Sequence, residues 1–115
     1  MSFGKIALIN LYGCNPSLIK NKKYIKNFIK ELCKLINMKP YGKSQIKRFG
    51  KGNLEGISAV QFIETSSITI HFDETKSRAF IDIFSCKNFN VKKAEIFSKK
   101  YFKADKSSSR EIIRT

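Results

Sequence analysis

Tryptophan is missing from this chain, proline appears twice and histidine once. With six glycines and no low-complexity linker, nothing divides the 115 residues, so a single domain, 1–115, is expected. Apolar runs are short, and none approaches the ~18 residues of a membrane span, which disfavours a membrane protein. Met1-Ser2-Phe3-Gly4-Lys5 lacks the basic, then apolar, then small-residue pattern of a secretory leader, so a cytoplasmic protein is expected. The three cysteines, Cys14, Cys33 and Cys86, are odd in number and far apart. They match neither a disulfide framework nor a zinc site, so free thiols and no metal are expected. A Gly-x-Ser-x-Gly elbow and a phosphate loop are also missing, leaving hydrolase and nucleotide-hydrolysing readings without support.

Acidic residues are scarce, nine against 23 basic, for a net charge of +14. Such an excess raises nucleic acid as a partner. Yet 19 of the basic residues are lysines spread in ones and twos, and only four are arginines, the residue that reads bases and phosphates by forked contacts. Zinc-finger spacing and Arg-Gly-aromatic strand signatures are absent. A solvated, lysine-rich surface is the plainer reading, and nucleic acid is disfavoured.

Apolar residues make up 42% of the chain, which suits a globular core. Residues 5–12, KIALINLY, read as a strand closed by Gly13. Asn15-Pro16 can open a helix, and Asn21 can cap a second turn. Tyr24, Ile25, Phe28, Ile29, Leu32, Cys33 and Ile36 then recur every three or four residues, with lysines on the opposite face. Pro40 and Gly42 end that helix. Strands are expected at 46–49, 57–64, 67–72 and 79–84, with polar turns at 50–53 and 73–77. Asn90 starts a second helix, with Val91, Ala94, Phe97 and Tyr101 on one stripe, and Glu111 to Ile113 suggests a last edge strand. The fold class is α+β: a two-layer sandwich with an antiparallel sheet and two helices on one face. Its bare face, expected to carry Phe62, Ile68, Ile70, Phe80 and Phe84, is too apolar for water, so a homodimer is expected.

Chemistry-bearing residues concentrate at 64–73, Glu-Thr-Ser-Ser-Ile-Thr-Ile-His-Phe-Asp, where hydroxyls surround the single histidine. Cross-strand hydroxyl pairs would account for these residues equally well. Four of the nine acids, Glu64, Asp73, Glu74 and Asp82, fall within 19 residues around this segment. Local carboxylates would let a strongly basic protein attract a cationic substrate; turn residues without a ligand are the alternative.

Glu64 to His71, followed by Asp82-Ile83-Phe84-Ser85-Cys86, resembles the short prokaryotic S-adenosylmethionine decarboxylases, and the likeness extends back to Tyr12-Gly13-Cys14. That family consists of self-cleaving proenzymes whose cofactor is a pyruvoyl group made from the backbone. Its members carry a serine, a histidine five residues later and a cysteine fifteen residues beyond; Ser66, His71 and Cys86 keep both spacings. Ser58 stands eight residues before Ser66, where the family has a processing serine. The resemblance implies that Ser66 attacks the carbonyl of Thr65, that the chain breaks between 65 and 66 into fragments 1–65 and 66–115, and that residue 66 becomes the pyruvoyl group. His71 would act as the processing base and Ser58 would stabilise the oxyoxazolidine-like intermediate. The substrate amine would form a Schiff base with the ketone, and Cys86 would return a proton to the α-carbon. An ordinary thiol still holds its proton at pH 7, as that role requires. The product would enter spermidine synthesis.

Several positions depart from the family pattern. Thr65 replaces the usual glutamate, Ser67 the usual histidine, and Phe72-Asp73-Glu74-Thr75 the usual Thr-Trp-Pro-Glu. Phe49 is the candidate for stacking on adenine. Glu74 lies one residue before the position of the ribose-binding glutamate, and Glu64 is a further substrate-binding candidate. Family members that resemble this pattern decarboxylate arginine or ornithine, which need no nucleoside contacts. A non-enzymatic basic nucleic-acid-binding module is the remaining alternative.

Overall fold

A computed structural model describes residues 3–114. In chain order the elements are β1 (Gly4–Tyr12), α1 (Lys22–Leu35), β2 (Gln45–Phe49), β3 (Gly56–Ile63), β4 (Ser66–Asp73), β5 (Arg78–Ser85), α2 (Val91–Tyr101) and β6 (Lys106–Arg114). The six strands form one sheet in the order β2-β3-β4-β5-β1-β6, and every neighbouring pair is antiparallel. Both helices cover the same face. No helix among the described residues is long and apolar enough to cross a membrane.

Each helix forms where its capping and periodicity dictate. The Tyr24 backbone N–H donates to Asn21 Oδ1 at 3.0 Å, and the Lys93 N–H to Asn90 Oδ1 at 2.9 Å. Each cap satisfies one of the donors that a helix start leaves unpaired. Ile25, Phe28, Ile29, Leu32 and Cys33 bury the apolar stripe of α1. Asn15 and Pro16 open only a turn, not a helix. On α2 the buried positions are Val91, Ala94, Glu95 and Ser98, while Phe97 turns toward α1 and stacks on Phe28 at 5.8 Å. Phe102 is fully buried and meets Phe28 edge-on at 4.7 Å. Such aromatic pairs contribute roughly 0.5–1.5 kcal/mol beyond the area they bury.

Alternation along the strands decides what each face shows. Ala7, Ile9, Ile57, Ile68, Ile70 and Ile81 are sealed under the helices. The expected face of Ile68 and Ile70 is thereby corrected. They share parity with the buried residues of β4, so they belong to the core. Phe62, Phe80 and Phe84 do lie on the bare face, joined by Leu8 and Ile112. Phe62 is 60% exposed and Ile112 46%. The last strand is also longer than the 111–113 segment suggested. Ser107 and Ser109 donate hydrogen bonds to the buried Glu95 of α2, both at 2.6 Å, fastening its N-terminal half.

Candidate active site

Strands β3 and β4 are joined by two residues, Glu64 and Thr65, with Ile63 paired to Ser66 across the turn. Thr65 adopts φ +64°, in the left-handed region. A β-branched residue there carries steric strain of about 1–2 kcal/mol. The peptide bond that follows Thr65 is the one expected to break. A cavity of about 280 Å³ lies beside it, lined by Met38, Lys39, Ile63, Glu64, Thr65 and Lys87.

Ser66 opens β4 with its side chain on the helix-covered side, directly opposite Ser85 of β5. Its hydroxyl donates to Ser85 Oγ at 2.8 Å, and Ser85 Oγ accepts the Lys87 N–H at 2.9 Å. The Thr65 carbonyl accepts the backbone N–H of Cys86 at 3.4 Å. The attackable carbonyl, the hydroxyl and the exposed Cys86 thiol thus share one end of the β4–β5 pair. Gly4 of β1 closes over this end. A side chain at Gly4 would place its Cβ 2.3 Å from the Ser85 carbonyl oxygen and 2.9 Å from Cys86 Cα. The other two thiols are elsewhere and inert: burial pushes Cys14 and Cys33 up to about 11.

Ser58 and His71 form a second group. They are direct cross-strand partners on the bare face, and the Ser58 hydroxyl and His71 Nδ1 are hydrogen-bonded at 2.9 Å. Five residues of extended chain separate Ser66 from His71, about 16 Å at ~3.3 Å per residue. The odd spacing also puts the two on opposite faces. One chain therefore brings Thr65, Ser66 and Cys86 together, and Ser58 with His71, without uniting the two sets.

Beyond His71 the character becomes ionic. A cavity of about 440 Å³ is lined by His71, Asp73, Arg78, Phe80, Leu54 and their neighbours. Arg78 grips Asp73 through Nε at 2.9 Å and Nη2 at 2.6 Å, and lies over the Phe80 ring. Partial burial would push the Asp73 carboxyl up, but Arg78 and nearby backbone N–H groups hold it below the ordinary carboxylate value. Glu74 is ion-paired with Arg48 at 2.5 Å. Phe49 ends the edge strand β2, 58% exposed, and Glu64 is exposed in the turn. Sequence reasoning missed Ser85 as the partner of Ser66, and the two arginine clamps. The adjacency of Ser85 to Cys86 was the available signal for the first.

The S-adenosylmethionine decarboxylase family model matches residues 5–115. The chain belongs to this family. The S-adenosylmethionine decarboxylase proenzyme of Clostridium botulinum (strain Hall) is 32% identical over 108 residues, covering 93% of this chain and 90% of the relative. The proenzyme of the same name from Saccharolobus islandicus (strain L.S.2.15) is 34% identical over 114 residues, covering 91% and 89%. The crystal structure of the adenosylmethionine decarboxylase from Aquifex aeolicus superposes with a TM-score of 0.81 at 18% identity, covering 98% of this chain and 91% of that one. That likeness establishes the α+β architecture: two helices on a six-stranded antiparallel sheet.

Proposed function

We propose that this protein is a self-cleaving, pyruvoyl-dependent carboxy-lyase whose substrate is S-adenosylmethionine. The observation that carries the reading is the β3–β4 turn: a strained residue 65, a serine behind it, and a cysteine whose backbone N–H meets the carbonyl to be attacked. The family match supports an enzyme over the basic-module alternative.

Cleavage begins when Ser66 Oγ attacks the Thr65 carbonyl carbon and the peptide becomes an ester. The Cys86 N–H is positioned to stabilise the negative charge that develops on the carbonyl oxygen. Loss of the Ser66 α-proton then breaks the Cβ–O bond. Thr65 leaves as the carboxylate of fragment 1–65, and residue 66, after exchange of its nitrogen for water oxygen as ammonia, becomes a pyruvoyl group. The residues present fit such a group, since Ser66 begins a strand with its hydroxyl engaged by Ser85. The pyruvoyl group supplies the electron sink that decarboxylation needs. The Cys86 thiol, exposed at the same end, supplies the proton to the α-carbon.

His71 and Ser58 act in processing from across a homodimer in this reading. Their distance from Ser66 within one chain supports a contribution from a second copy, and the exposed apolar side chains of the bare face support a homodimer. The protein works in the cytoplasm, and its product feeds spermidine synthesis. A second reading, an arginine or ornithine decarboxylase, is favoured by one feature: Glu74 is committed to Arg48, so no nearby glutamate is left for ribose hydroxyls.

Denaturing mass analysis of the purified protein tests cleavage. Fragments 1–65 and 66–115 are expected, the latter reactive toward a carbonyl reagent. An uncut chain in active material would remove the proposal. Carbon dioxide release from S-adenosylmethionine, arginine and ornithine, offered in parallel, separates the two substrate readings.

A further inference from the structure

Ser85 is fully buried and faces Ser66 across the β4–β5 pair. The Cys86 N–H bonds to the Thr65 carbonyl, so the ladder bonds flank this pair and do not join its two members. Opposed side chains approach most closely at such a position of an antiparallel sheet. Two constraints fix Ser85. Its Oγ accepts the Lys87 N–H at 2.9 Å, and β1 passes so near that a Cβ at Gly4 would fall 2.3 Å from its carbonyl oxygen. With Ser66 donating at 2.8 Å, Ser85 Oγ accepts twice, and among the described residues its own proton meets no acceptor. A buried hydroxyl with an idle proton calls for an explanation.

The fate of one oxygen supplies it. The acyl shift joins Ser66 Oγ to the Thr65 carbonyl carbon, breaks the C–N bond and leaves the hydroxyl proton on the nitrogen of residue 66. The oxygen then has no proton to give to Ser85. Elimination passes the α-proton of residue 66 to the processing base and breaks the Cβ–O bond. The oxygen departs with that bond's electron pair, as the second oxygen of the Thr65 carboxylate. Negative charge therefore develops on the atom that Ser85 already touches, while the Cys86 N–H meets the other oxygen.

Resting on the self-cleaving reading above, we propose that Ser85 acts in the elimination step: it turns its hydroxyl proton toward the leaving oxygen and stabilises the carboxylate that cleavage releases. Ser85 itself ends the reaction unchanged. Ser85→Ala removes the donor. Followed by denaturing mass analysis, its cleavage should be about 10²-fold slower, the usual effect of losing one such donor, and its uncut chain should hold the ester. Hydroxylamine breaks that ester and releases 66–115 with an N-terminal serine in place of the pyruvoyl group. Ser85→Thr keeps a hydroxyl and should recover most of the rate. Cleavage of Ser85→Ala at the wild-type rate overturns the proposal. So does an uncut chain that hydroxylamine leaves intact, because the block would then precede the ester, and so does a folded Ser85→Thr as slow as Ser85→Ala. If Ser85→Ala shows no cooperative unfolding, Ser85→Cys decides. Its thiol fills a similar space and donates weakly, so slow cleavage with a hydroxylamine-sensitive chain is expected, and the wild-type rate overturns the proposal. A wild-type chain that never cleaves sinks the self-cleaving reading itself, whereas the variant results bear on Ser85 alone.

Discussion

The two ends of the β4–β5 pair are built from different materials. At the Ser66 end the polar groups are uncharged, two hydroxyls and a thiol, around a backbone turn that Thr65 holds under strain. At the Asp73 end they are charges locked in pairs, Asp73 with Arg78 and Glu74 with Arg48, beside a cavity of about 440 Å³. Bond-making needs a nucleophile, a polarised carbonyl and a proton donor within contact of one another. Recognition tolerates exchange of one charge pattern for another. The serine and cysteine spacing of the family pattern is kept at the first end, although Thr65 and Ser67 change the residues beside the serine, and four consecutive positions, 72–75, differ at the second.

The largest expected effect comes from deleting the nucleophile. Ser66→Ala should stay a single 13.2 kDa chain on denaturing mass analysis. Appearance of fragments would break the contrast at its source. Cys86→Ala should still cleave, because it keeps the backbone N–H that meets the Thr65 carbonyl, yet turnover should fall about 10²–10⁴-fold, the usual worth of a general acid. Thr65→Gly should fold well and cleave up to tenfold more slowly, since glycine adopts the left-handed conformation without the roughly 1–2 kcal/mol of strain that opening the turn relieves. Unchanged cleavage kinetics would mean that the strain is not released in the rate-limiting step. Asp73→Asn gives the smallest effect. The folded-state carboxyl is held below its unfolded value, so its stabilisation is present above the ordinary carboxylate range and disappears as pH falls through the depressed folded value. The variant should be less stable at pH 7 by under about 1 kcal/mol, as for a solvent-screened pair, and the difference in thermal unfolding should close on acidification.

Much of the architecture was readable in advance because local signals agreed with one another. Asn21 and Asn90 cap the helices they precede, and the Ile25-to-Ile36 stripe faces the sheet. The errors have physical causes. Starting the fourth strand at 67 hid the parity of Ser66, and with it the fact that Ser66 and His71, five residues apart, cannot share a face. Reading Ile68 and Ile70 as bare-face residues was the same slip in parity. Nothing in the local sequence marks Glu95 as buried; its partners, Ser107 and Ser109, come from a strand whose pairing no local pattern reveals. At the candidate site the residue types and spacings were legible. The backbone conformation of Thr65 and the arginine clamps were not, because each depends on the tertiary arrangement around it.

The strand order carries a consequence for the severed molecule. A cut after Thr65 assigns β1, β2 and β3 to one piece and β4, β5 and β6 to the other. Because β1 lies between β5 and β6, the pieces alternate across the sheet, and β3 zips against β4 as well. Neither piece can depart without unfastening three ladders at once, so the nicked protein would remain whole with no covalent tether across the break.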